Sequence, residues 1–274
     1  MRRKLALLLL AVVLSAASSG PAGASTYRVY DQWGGTFHDA NKTGNDDSLM
    51  CWAAAASNIL DWTGWETAAL SDQTKIFQYF VGHWTDQGSL PFYGWNWWFD
   101  GTLPPSGPKW SDWSKVDVPG GDFWHSVTFA DVYERGMSAN LLSDADSFLR
   151  SGYGVTLGIY KTDGGHALTL WGLEYTDGLG GRQYNGIYVT DSDDGKTDEF
   201  YYAVSWMNDH WYLQNYFGTY NIWYIDEVEA LGRVPLPASL LLFASGLLAL
   251  AAWRRRARST SLAAADRSRH LPAK

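Results

Sequence analysis

The chain has one cysteine, Cys51, and its position decides what that thiol can do. A lone cysteine cannot build a disulfide framework or a multi-cysteine zinc site, and its bland role is a small buried hydrophobe. Cys51, however, opens the run Cys51-Trp-Ala-Ala-Ala-Ala-Ser-Asn-Ile-Leu-Asp-Trp62, with Asp47 or Ser48 ahead as a cap and Gly64 behind. That pattern predicts a helix whose first turn holds the cysteine. There the unpaired N–H groups and the macrodipole favour thiolate over thiol. A histidine, His166, and an acid, Asp191, follow far along the chain. Nucleophile, base and orienting acid in the order Cys, His, Asp suit acyl transfer through a thioester.

The elements that must bring these groups together are the helix and a hairpin. Gly165–Tyr175 and Tyr184–Asp191 alternate as strands around the Gly- and Asp-rich turn Thr176–Gly181. Pairing symmetric about that turn sets Tyr175 opposite Arg182, Leu170 opposite Ile187, Leu168 opposite Val189 and His166 opposite Asp191. His166 and Asp191 then extend the apolar face formed by the leucines, Ile187 and Val189. Directly opposed Cβ atoms lie ~5 Å apart, which suits an imidazole–carboxylate bond. A structural His–Asp pair closing a hairpin is the competing reading. The acidic run Asp191-Ser-Asp193-Asp194-Gly195 fits an EF-hand calcium loop poorly.

Elsewhere a second helix is expected after Ser71, with Ile76, Phe77, Phe80, Val81 and Trp84 at helical spacing. Trp84–Trp124 is dense in Gly, Pro and Trp and predicts long loops. A third helix, capped at Ser143 with Asp146 three residues on, covers Asp144 to Arg150. Strands are expected at Val155–Tyr160, His166–Tyr175, Tyr184–Thr190, Phe200–Trp206 and Asn221–Val228. Helices first and strands later indicate an α+β domain with an antiparallel sheet. Nucleotide-binding and zincin motifs are absent from the sequence, and no cofactor is expected. His38, His83, His125 and His210 have no acid at a defined offset.

Three blocks carry a family resemblance: Leu49-Met50-Cys51-Trp52-Ala53-Ala54-Ala55-Ala56-Ser57-Asn58-Ile59-Leu60, Gly165-His166-Ala167-Leu168-Thr169-Leu170-Trp171-Gly172 and Ile187-Tyr188-Val189-Thr190-Asp191-Ser192-Asp193. Together they resemble the immunoglobulin-degrading cysteine protease family (IdeS/Mac type). The resemblance implies a papain-like fold, a helix carrying the nucleophile against an antiparallel sheet carrying His and Asp. It makes Cys51 the nucleophile, His166 the general base and acid, Asp191 the residue orienting the imidazole and Asp193 a supporting acid. It also assigns Lys42, upstream of the cysteine, to the oxyanion. The activity implied is cysteine endopeptidase on a protein substrate.

Both ends read as addresses. Arg2, Arg3 and Lys4, the apolar run Leu5–Leu14 and Ala22-Gly23-Ala24 make a signal peptide over 1–24. At the other end, Val234-Pro235-Leu236-Pro237, a short apolar stretch to Trp253 and the cluster Arg254-Arg255-Arg256-Ala257-Arg258 resemble a PEP-CTERM sorting signal, with Leu236 where that motif has Glu. The resemblance implies an exosortase-type partner in a Gram-negative host. The predicted organisation is signal peptide 1–24, peptidase domain 25–233, sorting signal with a short transmembrane helix 234–258 and basic cytoplasmic tail 259–274. Export to the cell surface or beyond follows, with transient inner-membrane anchoring through the C-terminal helix; a plain tail anchor is the alternative.

Charge supports this. The net charge is −8 with 21 Lys+Arg against 29 Asp+Glu. Many of the bases lie in the two end segments, so the body is more acidic still and excludes a nucleic-acid partner. The 16 Trp residues leave open a second class of function, a surface or matrix carbohydrate-binding module with a vestigial site. A Cys-dependent transferase or deamidase is a third. Mature protein from the native host should end near Ser239; C-terminal mass spectrometry that recovers Arg254–Arg258 intact would remove the exosortase reading.

Overall fold

The computed structural model describes residues 23–101 and 120–235. The expected signal-peptide core, the apolar C-terminal stretch and the basic tail lie outside the described residues, as do Trp110 and Trp113. The chain divides into a unit ending at Gly232 and a second from Arg233 onward. Only Arg233–Pro235 of the second unit is described.

Ser25–Arg28 (β1) runs into the short helix Val29–Trp33 (α1), and helices Cys51–Thr63 (α2), Gln73–His83 (α3), Pro91–Asp100 (α4) and Phe129–Val132 (α5) follow. Tyr133–Arg135 (β2) and Leu141–Arg150 (α6) precede the strand-rich half: Gly154–Lys161 (β3), Gly164–Gly178 (β4), Gly181–Thr190 (β5), Phe200–Met207 (β6), His210–Leu213 (β7) and Tyr224–Leu231 (β8).

The strands pair in the order β4-β3-β8-β7-β6-β5, and β5 pairs back onto β4. The result is a closed antiparallel barrel of six strands with β1 and β2 added. This overturns the expected α+β papain-like peptidase fold. The overturning contact is the ladder between β4 and β5, which joins the two ends of the sheet. Closure depends on β4, whose 15 residues pair with β3 over Gly164–Leu170 and with β1 over Gly172–Tyr175 on one side. The other side takes β5. Periodicity reveals strands, but not whether the sheet they form is open or closed.

The hairpin register also differs from expectation. The turn is Leu179-Gly180, flanked by the pair Gly178 and Gly181, and Leu170 rather than Leu168 faces Val189. Bulges after Leu170 and Glu174 interrupt the ladder. The pairing at Leu170 is displaced by two residues, and an even displacement returns side chains to the same face. Leu168, Leu170, Ile187 and Val189 are accordingly all buried.

Helix α2 packs against β3 and β4 as well as α3 and α4. Its alanines allow close approach, and glycines face it: a Cβ on Gly154 would stand 2.7 Å from Ile59, and one on Gly94 3.0 Å from the Trp52 ring. Gly64, at φ 85°, ends the helix in the left-handed region. Neither Asp47 nor Ser48 caps its start, where Met50 makes no side-chain cap bond. Asp47 instead gathers the backbone N–H groups of Thr43 and Gly44 at 2.7 Å each. Asp72 caps α3 through Lys75 N–H, and Asn140, not Ser143, caps α6. Asp146 ties α6 to the hairpin by pairing with Arg182.

One polar side chain crosses the interior. Asn58 of α2, 2% exposed, accepts from Ala40 N–H at 2.8 Å and donates to Thr169 Oγ1 of β4 at 3.0 Å. Its amide also reaches Thr190 Oγ1 of β5 at 3.5 Å. Thr190 in turn donates to the His38 carbonyl and accepts from the Trp171 indole.

The Trp-rich segment corrects a further expectation. Pro91–Asp100 is a helix rather than loop, opened by a proline at its first turn. Trp95, Trp97 and Trp98 are fully buried, and Trp95 and Trp98 donate their indole N–H to the Ala56 and Trp65 carbonyls. These tryptophans are core, not surface platforms. Trp98→Ala should therefore cost about 3–5 kcal/mol, whereas Trp206→Ala, at a residue 42% exposed, should stay within ~0.5 kcal/mol. Denaturant midpoints of the two variants check the contrast.

Candidate active site

The first turn of α2 and the start of β4 face each other across a cleft of about 510 Å³. Cys51, His166, Lys42 and Asp193 line it. Asp191 sits behind His166, 2% exposed. The fold thus gathers all five residues singled out in the sequence, although it differs from the one that suggested them.

His166 lies three residues before the β4–β5 ladder begins and Asp191 one residue after it ends. Their side chains nonetheless meet: Nε2 lies 2.8 Å from Asp191 Oδ1. The Asp191 carboxylate also accepts from Tyr216 Oη–H at 2.7 Å on Oδ2 and from the Asp193 N–H at 3.0 Å on Oδ1. Burial raises the proton affinity of Asp191, but the bond and charge of His166, then Tyr216 and the Asp193 N–H, outweigh it and hold the carboxyl below its ordinary range. Asp191 is a fixed anion, satisfied on both oxygens.

With Nε2 committed to Asp191, Nδ1 is the ring nitrogen left for the thiol. The His166 side chain, the Ala167 backbone N–H and the Lys42 charge all act on the Cys51 thiol. Burial pushes its pKa up. The imidazole's bond and charge, the Ala167 N–H and the Lys42 charge together bring it below the ordinary value. His166 moves the opposite way, to about 10: burial lowers it, and the bonds to Asp191 and Cys51 raise it more. Each partner stabilises the other's charge, so the pair holds one proton as imidazolium beside thiolate.

Lys42 supplies a second cation. Its Nζ donates to the Ser48 carbonyl at 2.6 Å and pairs with Asp193 Oδ1 at 2.5 Å. Asp193 Oδ2 stands 3.8 Å from His166 Nδ1. Its carboxylate therefore bridges the lysine and the imidazole, while its N–H positions Asp191. Ala53 and Ala54 already give their N–H groups to the Met50 carbonyl, and helix geometry leaves those of Cys51 and Trp52 without partners inside the helix. They are the natural donors for an oxyanion forming on an acyl group at the sulfur.

His166, Asp191 and Asp193 also place one ligand atom each within 4.8 Å of one another, a spacing that a metal could use. In the fold those atoms already satisfy one another, Tyr216 and Lys42. The other histidines stand apart: His38 pairs with Asp61 Oδ2 at 2.5 Å and stacks on Trp171. His210 lies 3.4 Å from Asp226, and His125 contacts Asp122 three residues away. Tyr216 and the Ala167 N–H went unread in the sequence. Tyr216 sits in the loop after β7, where no spacing or motif connects it to Asp191.

Residues 233–256 match the PEP-CTERM protein-sorting motif. The chain therefore carries a signal for export to the cell envelope or surface and for recognition by an exosortase-type sorting enzyme. No curated protein matches the chain, and nothing in the comparisons supports the immunoglobulin-degrading family. Among the described residues no helix is long and apolar enough to cross a membrane.

The charge pairing sets a pH window. Alkylation of Cys51 by iodoacetamide should be fast well below the usual thiol midpoint of about 8.5. In His166→Ala burial acts with less opposition, so the midpoint should rise and the rate at pH 6 should fall roughly tenfold or more. Identical pH–rate curves for the two proteins would show that the imidazole does not hold the thiolate.

Proposed function

We propose that the protein is an exported cysteine endopeptidase. The observation that supports this most is the hydrogen-bonded series His166, Asp191, Tyr216 set against the Cys51 thiol at the wall of an open cleft. A structural His–Asp pair needs no thiol at its far end, and a buried structural cysteine needs no imidazole.

In this reading the Cys51 thiolate attacks the carbonyl carbon of a peptide bond and forms a C–S bond. The carbonyl electron pair moves to oxygen, beside the Cys51 and Trp52 N–H groups at the start of α2, with the Lys42 charge nearby. As the intermediate collapses, the C–N bond breaks and His166 gives its Nδ1 proton to the leaving amine. The imidazole, now neutral, takes a proton from water, whose oxygen attacks the thioester. The acid departs, and the thiolate and imidazolium are restored. Asp191 keeps the ring oriented and stabilises its charge throughout; it transfers no proton. Proton donation to the amine fails as pH rises through about 10, where His166 deprotonates, and thiolate attack fails below the lowered thiol pKa. Turnover should thus follow a bell-shaped pH profile.

Leu49, Leu90, Pro91, Tyr93 and Tyr160 give the cleft apolar walls, suited to the side chains of an extended peptide. Transfer of the same acyl group to an amine would use the same residues, and identification of the products separates a transferase or deamidase from a hydrolase. The carbohydrate-binding alternative loses support from the burial of Trp95, Trp97 and Trp98.

Cys51→Ala and His166→Ala should each lower kcat by on the order of 10⁴-fold or more with the fold retained, the double variant being no worse than the single ones. Asp191→Asn should lose less than either. A proteome-wide cleavage profile of active protein against Cys51→Ala checks this and would reveal the sequence preference. Cleavages shared equally by the two proteins would refute the peptidase.

A further inference from the structure

Four buried oxygens without hydrogen-bond partners belong to three side chains of two adjoining segments. Asp39 is 4% exposed, and neither of its carboxylate oxygens has a partner. Asn41 donates its Nδ2 to the Lys196 carbonyl at 2.7 Å, which leaves a buried, unpartnered Oδ1. Asp194 accepts Lys196 N–H on Oδ1 at 2.7 Å, and its Oδ2 is likewise buried and unpartnered. The segments lie side by side: Lys42 N–H donates to the Ser192 carbonyl at 3.0 Å, and Thr190 Oγ1 donates to the His38 carbonyl at 3.0 Å.

Burial, followed by the Asp194 charge, pushes the Asp39 carboxyl up to about 8. The Asp198 N–H and the Asn41 side chain approach close enough to oppose that rise, but neither completes a hydrogen bond. Lys196 offsets part of the Asp194 charge. An unpaired buried carboxylate must take up a proton or a cation. Protonating Asp39 supplies one donor and leaves other oxygens of the group unmatched, whereas one hard cation satisfies carboxylate and amide oxygens together. An all-oxygen set disfavours metals that seek nitrogen or sulfur, and a side-chain amide oxygen beside carboxylates from two separate segments suits calcium better than magnesium, which demands a near-ideal octahedron.

We propose that Asp39, Asn41 and Asp194 hold a calcium ion, water completing its shell, and that the ion clamps the 191–198 loop to the 39–42 segment. The proposed clamp differs from an EF-hand, since its ligands come from two distant stretches of chain. It is also separate in its ligands from the His166, Asp191 and Asp193 group.

The test is calorimetric titration of the full chain, freed of divalent ions with EDTA, with CaCl2 and with MgCl2, alongside thermal unfolding. One calcium site with Kd on the order of 0.1–1 mM is expected. Tm should rise roughly 3–10 °C in 10 mM calcium, and less in magnesium. Asp39→Asn and Asp194→Asn should each weaken calcium binding at least tenfold and remove the Tm rise. Should Asp39→Asn fail to fold, Asp194→Asn, at a less buried position, decides the matter. Absence of binding heat and of a Tm rise in the unaltered chain would overturn the proposal, as would a full calcium response in Asp194→Asn.

Discussion

The buried amide of Asn58 is the contact on which the geometry of the site depends. It is bonded at once to β4 through Thr169 and to the approach segment through Ala40, and it reaches β5 through Thr190. Those elements carry, in turn, His166, Lys42 and Asp191. Cys51 lies seven residues up the same helix, ~10 Å along its axis. Because a helix behaves as a rod over two turns, locking Asn58 fixes the height of the sulfur relative to the imidazole. An apolar residue of similar size would fill the space but leave the Ala40 N–H without its acceptor, a penalty that packing cannot repay. Specific direction, rather than bulk burial, is what the amide contributes.

Around that anchor the charges are arranged in alternation. Asp191 is negative, His166 positive, Cys51 negative and Lys42 positive, with Asp193 closing the circuit between lysine and imidazole. Each of these five charges has an opposite neighbour, which is the condition for keeping ions out of water. The opposite charges around it favour the Cys51 sulfur as an anion.

Much of this was legible in the sequence, and the failures have physical causes. The α2 helix could be read from its alanines and the closing Gly64, because local propensity and burial agree there. The facing of His166 and Asp191 was read correctly through an incorrect register: the two-residue turn at Leu179-Gly180 displaces the pairing by an even number, which preserves the face. The α4 helix was illegible because Phe92, Tyr93, Trp95, Trp97 and Trp98 make it apolar nearly all round, erasing the 3.6-residue stripe. Barrel closure rests on β7, only four residues long, and on a β4 long enough to serve several partners. Neither fact can be recovered from periodicity. Tyr216 is a contact between distant parts of the chain, and no local pattern encodes it.

The two added strands bear on behaviour in a crowd. β1 meets β4 where β3 has ended, and β2 meets β8 over Glu229–Ala230–Leu231, beyond the stretch held by β7. They are four and three residues long, and they patch the positions at which the barrel would otherwise present unpaired backbone. Open strand edges template edge-to-edge association between copies. Proximity at a cell envelope or surface, where the sorting motif directs the chain, would favour such association. Short patches over a closed barrel leave little backbone for another copy to extend.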